Sequence, residues 1–295
     1  MPTRFKNTDV TQHWQNVLIC WGDKYSNEQV NKLAAQIALN DPDCVKTVLL
    51  TDVIRHGVNP SIEQKLIPDF YLKPEMRTSG CHAKLCMFEQ NLLDAALPAI
   101  FVDLDTIVFG RLGRLFGELK SEQHLMMLPG RGHFRALRRF YSRIFSGRKF
   151  GRANSSVVVF HPQNWQSVAS TFRSKIENGV KLKGEYMIAD DRYLAWYAQQ
   201  QLQLVSTSHV VKFGTEFVLP AAWMSKIKGR LPWVERRRSN LLAITFPGTS
   251  FEPSEIAHLT KNMTLKDDRG RPLIWDDATI GSVKNKIQCY LNVSS

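Results

Sequence analysis

The chain is poor in cysteine and has no long apolar run. Its five cysteines, Cys20, Cys44, Cys81, Cys86 and Cys289, are odd in number and scattered through 295 residues. That excludes a disulfide framework and fits a reducing compartment. The one close pair, Cys81 and Cys86, lacks the spacing of a zinc knuckle or redox motif. No apolar stretch approaches the roughly 18 residues of a membrane span, and the opening MPTRFKNTDV lacks the continuous apolar segment of a secretory signal. The expected location is therefore cytoplasmic. Internal repeats, low-complexity tracts and Gly/Ser/Pro linkers are also missing, so a single unit is expected. Acidic residues are outnumbered: 27 Asp and Glu against 39 Lys and Arg leave a formal charge of +12. Such a balance predicts attraction to something anionic, whether nucleic acid, a phospholipid surface or a phosphorylated small molecule.

With 43% hydrophobic residues the chain can bury a substantial core. Val17 to Trp21 is a short apolar run stopped by Gly22-Asp23, which reads as a buried strand ending in a turn. Ser26 and Gln29 have the form of a capping box. Val30, Leu33, Ala34 and Ile37 follow at helical spacing, and Asp41-Pro42 closes that helix. Val45 to Leu50 is strand-like again, completing a strand–helix–strand unit of the kind that builds a parallel sheet. Further strands are expected at 99–104, 124–128, 156–160 and 241–246, and helices at 83–96 and 190–201. The fold class is thus α/β, a mixed and mostly parallel sheet flanked by helices. In such sheets ligands gather at the carboxyl ends of the strands.

The sharpest local signal is Asp103-Leu104-Asp105, set between Ala99-Ile100-Phe101-Val102 and Ile107-Val108-Phe109. An unpaired carboxylate costs several kcal/mol to bury, so two inside an apolar stretch call for a partner. In extended backbone, residues two apart face the same way, and both carboxylates could then reach one ion. Hard cations such as Mn²⁺ or Mg²⁺ share oxygen ligands between carboxylates and substrate phosphates. A strand-end turn with two solvated aspartates is the alternative. An Asp-x-Asp pair also marks haloacid-dehalogenase-like phosphatases; here the Thr of their common motif would fall at Ile107, and Lys183 with Asp190 and Asp191 would have to supply their remaining groups.

Beyond that pair, five pieces occur in order: Trp21-Gly22-Asp23-Lys24-Tyr25; Lys84-Leu85; Phe101 to Thr106; Asn154-Ser155-Ser156 leading into Val157 to Phe160; and Asp190-Asp191 with Leu194. Together they resemble the bacterial relatives of glycosyltransferase family 8, which have the GT-A fold, over residues 17–256. The resemblance implies a GT-A-like domain over residues 1–256, with 257–295 an extension packed on it. It implies transfer of a sugar, with retention of configuration, from a nucleoside-diphosphate sugar, UDP-sugar favoured, to a hydroxyl acceptor. Tyr25 would stack on the base, with Trp21, Gly22 and Lys24 around it. Lys84 would meet the donor phosphates, and Asp103 and Asp105 would hold Mn²⁺ or Mg²⁺ against the diphosphate. Asn154 and Ser155 would bond sugar hydroxyls, and Asp190 and Asp191 would reach the donor sugar from the far side. Two positions depart from the family. Asp191 stands where the family has Gln, and Pro247 stands where it has the His that completes the metal site. The ion would then rest on Asp103, Asp105, phosphate and water, with His258 as a substitute ligand or weaker metal dependence as the alternatives.

Basic residues concentrate at 131–152, interleaved with Phe134, Phe140, Tyr141 and Phe145, and again at Lys226, Lys228, Arg230, Arg236, Arg237 and Arg238 around Leu231-Pro232-Trp233-Val234. Such stretches bind single-stranded nucleic acid, rest on an anionic membrane surface, or form a solvated face. With the transferase reading, the expected acceptor is a saccharide or lipid-linked molecule, anionic in character, met at the inner membrane surface, and nucleic acid is not expected. A non-catalytic basic binding protein on a degenerate transferase fold is the competing reading.

Overall fold

A computed structural model describes residues 12–78, 80–130, 153–184, 186–246 and 251–292. The basic stretch 131–152 and Pro247 lie outside the described residues.

The central sheet has seven strands: β1 (Trp14–Cys20), β2 (Cys44–Thr51), β3 (Ile62–Leu66), β4 (Ala99–Val102), β6 (Leu125–Pro129), β7 (Ala153–Phe160) and β8 (Leu202–Leu204), in the order β3-β2-β1-β4-β7-β6-β8. Only β7 runs against the others, pairing antiparallel with β4 on one side and β6 on the other. A second sheet is formed by β5 (Thr106–Val108), β9 (Val210–Lys212) and β10 (Ala243–Thr245), with β10 in the middle. The mixed, mostly parallel sheet flanked by helices is the architecture expected from the sequence.

Alternation along the strands explains the layers. Val17, Ile19, Val48, Leu50, Phe101 and Val158 face one core, which is covered by α2 (Ser167–Glu177) and α3 (Asp190–Ala198). Leu18, Leu49, Ile100, Val102 and Val157 face the other, where α1 (Asn27–Asn40) brings Val30, Leu33, Ala34 and Ile37 and the second sheet brings Val108, Val210 and Ala243. β1 is buried along its whole length because both of its faces are covered. The capping box starts α1: the Ser26 amide donates to Gln29 Oε1 (2.8 Å) and the Gln29 amide to Ser26 Oγ (3.2 Å). The helix stops at Asp41, whose amide still reaches Ile37 O (2.9 Å) before Pro42 removes the next donor.

The second sheet carries a third core on its far side. Ile107, Val211, Phe213, Phe246 and Phe251 meet Leu273, Trp275, Ile280, Val283 and Ile287 from the last forty residues. Those residues form a hairpin of β11 (Thr264–Lys266) and β12 (Pro272–Ile274) and the terminal helix Val283–Asn292. Among the described residues no helix is long and apolar enough to cross a membrane.

The helix expected at 83–96 is instead a 3₁₀ segment, His82–Phe88, followed by turns. Its residues are buried on nearly every side, so the apolar positions reflect enclosure rather than an amphipathic face. Cys81 (φ 50°) before it and Asn91 (φ 66°) after it hold left-handed backbone, and the tighter turn fits between those two kinks. The helix expected at 190–201 ends at Ala198 and tightens into a 3₁₀ turn at Gln199–Gln201.

Candidate active site at the carboxyl edge of the central sheet

β1, β2 and β4 are parallel, so their carboxyl ends open on one edge of the sheet. That edge carries the turn Trp21–Tyr25, then Asp52, then Asp103. Because β7 runs the other way, its first residues arrive at the same edge. The Asp103 amide donates to Ser156 O at 2.9 Å. Asn154 and Ser155 therefore lie inside β7 rather than ahead of it, a correction to the expected start at 156.

Asp103-Leu104-Asp105 is the crossing between the two sheets. β4 ends at Val102, β5 begins at Thr106, and the Phe246 amide at the end of β10 donates to the Asp105 carbonyl (2.9 Å). Leu104 and Asp105 form a turn, so the expectation that strand alternation aligns the carboxylates is corrected. The fold brings them together by bending the chain between sheets. Lys84 Nζ donates to Asp103 Oδ1 at 2.5 Å. Burial alone would lower the Lys84 ammonium, but Asp103, Asp190 and Cys81 outweigh it and raise its pKa, so it stays charged. Asp105 is only 8% exposed, and its Oδ1 has no hydrogen-bond partner. Burial and then the Asp103 charge push its carboxyl up to about 7, against the pull of Lys84, Lys212 and Lys24.

Asp190 and Asp191 occupy the first turn of α3, where the helix end favours negative charge. Asp190 is buried and accepts from Ser155 Oγ at 2.6 Å. Burial raises it to about 7, opposed by Lys84, with Asp191 and Asp103 pushing the same way as burial and the Ser155 hydrogen bond against it. Asp191 is also raised, mainly by burial, with Lys212 and Arg192 opposing. Lys84 thus faces Asp103 and Asp190 together, whereas Lys183, the cation the phosphatase reading would need, is solvent-exposed.

On the other side of the site, Trp21 packs against the first core and Tyr25 against the second. Burial, then Asp105 and Asp103, raise the Tyr25 phenol, so it stays protonated and faces the acidic pair. Lys24 sits 4.9 Å from the Tyr25 ring and 3.9 Å from the Glu252 carboxylate. Gly22 has φ 62°, a turn that favours glycine. Its amide donates to Asp52 Oδ2 (2.9 Å) and its carbonyl accepts from Arg55 Nη2 (2.6 Å), so both polar groups are held inside the protein. The Asn154 carboxamide likewise accepts from the Ser156 amide (3.1 Å) and fixes the entry to β7.

Several residues here were not singled out in the sequence. Asp52 and Arg55 pin the Gly22 turn, and Asp52 follows an apolar run just as Asp103 does, so the strand-end rule would have found it. Lys212, at the end of β9, acts on both Asp105 and Asp191. Gly80 places α3: its carbonyl accepts from the Asp190 amide (2.8 Å), and a Cβ there would stand 2.4 Å from the His82 ring. His82 stacks on Phe172 with ring centres 5.6 Å apart and donates to Met187 O (2.9 Å), which locks that corner. His258 is exposed, and among the described residues no group of three His, Cys, Asp or Glu side chains forms a ready metal site.

The sheet order and the acidic crossing at its carboxyl edge define a GT-A-type α/β fold, and solved structures agree. The chain is similar to the galactosyltransferase LgtC, crystallised with donor and acceptor sugar analogs, at TM-score 0.54 and 11% identity over 95% of each chain. It is also similar to the glycosyltransferase GlyE of Streptococcus pneumoniae, at TM-score 0.53 and 15% identity over 95% of this chain and 60% of that one. For the bifunctional glycosyltransferase WbbM the TM-score is 0.55 with 12% identity, over 84% of this chain and 48% of that one. At these identities the likeness is one of fold. No family model matches the chain, and no curated protein matches it in sequence.

Proposed function

We propose that the protein is a glycosyltransferase that moves a sugar from a nucleoside diphosphate, UDP favoured, to a hydroxyl acceptor in the cytoplasm. The observation that carries this reading is Asp105: a buried carboxylate with an unpartnered oxygen, beside a second carboxylate, at the carboxyl edge of a GT-A-type sheet. An enclosed acidic group without a partner is costly, and a ligand that brings positive charge would remove the cost.

The residues present fit a divalent ion. Asp103 and Asp105 would hold it, the orphaned Asp105 oxygen gaining the partner it lacks, with phosphate and water completing a shell that hard cations accept. An ion held by Asp103 and Asp105 would supply positive charge to offset that on a departing nucleoside diphosphate. The chain's own groups do the rest. Lys84, held charged by Asp103 and Asp190, offers an ammonium to the diphosphate. Tyr25 provides a flat, protonated ring for the base, and the Trp21–Tyr25 turn is kept in shape by Asp52 and Arg55. Asp190 and Asp191 supply acceptors for sugar hydroxyls. Ser155 orients Asp190 by donating its hydroxyl to that carboxylate, and its lone pairs stay able to accept from a sugar hydroxyl.

Thermal unfolding with UDP and Mn²⁺, on the parent and on the Asp103→Ala, Asp105→Ala double variant, tests this. The parent midpoint should rise only with both ligands, corresponding to about 2.7 kcal/mol at a hundred times Kd, and the variant should not respond. Release of UDP from a panel of UDP-sugars follows turnover directly. No response of the parent to UDP, GDP or any other nucleotide, with or without metal, overturns the reading.

A further inference from the structure

The second basic stretch resolves into two groups with different jobs. It lies on α4 (Ala222–Gly229) and α5 (Pro232–Ser239), two short helices joined at Arg230-Leu231. Four of its six cations are paired with acidic side chains of the protein. Lys228, Arg237 and Arg238 converge on Glu216, and Lys226 reaches Asp276 at 3.3 Å. Both helices rest by their inner faces on the segment 276–282. Gly229 is so close to it that a Cβ would stand 2.0 Å from Ala278 O, Arg238 Nη1 donates to Thr279 O (2.8 Å), and Glu235 Oε1 accepts from the Ser282 amide (3.0 Å).

What the inner faces do not use is left outside. Trp223 is 64% exposed, Ile227 55% and Trp233 67%. Trp223, Ile227 and Arg230 share one side of their helix by spacing, and Trp233 and Arg236 share one side of the next. Arg230 and Arg236 are exposed and form no ion pair among the described residues. The only acidic residue from 219 to 240 is Glu235, which is turned inward to Ser282. Exposed tryptophans are uncommon on a solvated face, and their amphipathic rings favour the boundary between water and acyl chains. Free arginines beside them select an anionic boundary.

We propose that the outer faces of α4 and α5 seat the protein on a phospholipid bilayer carrying anionic headgroups. Trp223, Ile227 and Trp233 enter the interfacial region, and Arg230 and Arg236 lie against the headgroups. The four paired cations hold the two helices rigidly enough to present this surface. The proposal does not depend on the donor site.

Co-sedimentation of the full chain with vesicles tests it, using phosphatidylcholine alone and an equal mixture of phosphatidylcholine and phosphatidylglycerol. The parent should bind the mixed vesicles and not the neutral ones. Trp223→Ala with Trp233→Ala, and separately Arg230→Glu with Arg236→Glu, should each weaken that binding by about tenfold or more. Both variants should keep the parent's thermal midpoint. Should the tryptophan pair fail to fold, the arginine pair carries the test alone. Equal binding to both vesicle types, or undiminished binding by the arginine variant, overturns the proposal. So does a self-associated parent, by sedimentation velocity, that the tryptophan variant makes monomeric, since a second copy would then cover the face. Oligonucleotide binding lost in the arginine variant, without any vesicle binding by the parent, assigns the face to nucleic acid instead.

Discussion

Glu216 and Asp105 are equally enclosed, 7% and 8% exposed, and their surroundings could hardly differ more. Glu216 is met by three cations: Arg238 Nε at 2.8 Å, Arg237 Nη2 at 2.5 Å and Lys228 Nζ at 3.3 Å. Burial would raise its carboxyl, but Lys228, Arg237 and Arg238 overcome that and hold it below its ordinary range. Asp105 has a second carboxylate beside it and an oxygen with no partner, and burial outweighs the pull of Lys84, Lys212 and Lys24, so the group rises to about 7. The contrast teaches how to read buried charge in this protein. A neutralised and bonded cluster is architecture. A cluster left with excess charge of one sign is a site awaiting a ligand.

The largest effect should come from breaking the satisfied cluster. Glu216→Ala strands Arg238, which is fully buried, and should cost about 3–5 kcal/mol in denaturant unfolding. The cluster also has a pH signature. A depressed carboxylate contributes stability that is complete above its unfolded value of 4.5 and is lost as pH falls through the folded one. Lowering pH should therefore reduce the stability of the parent more than that of the variant.

Next in size is Gly229→Ala, which drives a methyl into the Ala278 carbonyl and pushes α4 off segment 276–282. It should cost about 1–3 kcal/mol without altering the response to UDP and Mn²⁺. If that response vanished too, the two regions would be coupled rather than independent.

The unsatisfied cluster should behave in the opposite sense. Asp105→Asn removes a buried charge and should stabilise the ligand-free protein by on the order of 1 kcal/mol at pH 8, while abolishing the stabilisation by UDP and Mn²⁺. Asp190 supplies the matching titration. Its folded value near 7 exceeds the ordinary 3.8, so the folded state holds more protons between those limits and stability falls as pH rises across that window. Asp190→Asn should flatten that fall. A variant that is instead destabilised at every pH would place Asp190 with Glu216, as architecture. The smallest effect belongs to Arg230→Glu with Arg236→Glu: both side chains are exposed and form no ion pair among the described residues, and the stability should move by less than about 0.5 kcal/mol.

Much of the first hundred residues was legible because its signals are local. The apolar run before Gly22, the Ser26–Gln29 box and the spacing of Val30, Leu33, Ala34 and Ile37 each report on a few neighbouring residues, and each element appears close to its expected bounds. The segment 83–96 misled for a physical reason: when nearly every residue is enclosed, composition no longer reports which face points inward. The second sheet was mostly illegible. Its strands are three residues long, and β5 pairs with β10, more than 130 residues away in the chain, so periodicity has nothing to register. Of the site, Asp103 and Asp105 stood out because two carboxylates inside an apolar run are costly wherever that run goes. Lys212, Arg55 and Gly80 did not, since nothing in their own neighbourhoods separates them from a solvated lysine, a surface arginine or an ordinary turn.

The sequence by itself determined the α/β alternation, the capped first helix and the presence of an acidic pair that must find a partner, because each follows from spacing and from the cost of burying charge. Only the tertiary structure decided which charges meet. It bent the chain between two sheets to set Asp105 beside Asp103, carried Lys84 to both Asp103 and Asp190, and divided one basic stretch into cations that hold Glu216 and arginines left facing outward. Charge pairing of that kind is settled by contacts between distant segments, and the sign of a residue's neighbours is unknown until the chain has closed on itself.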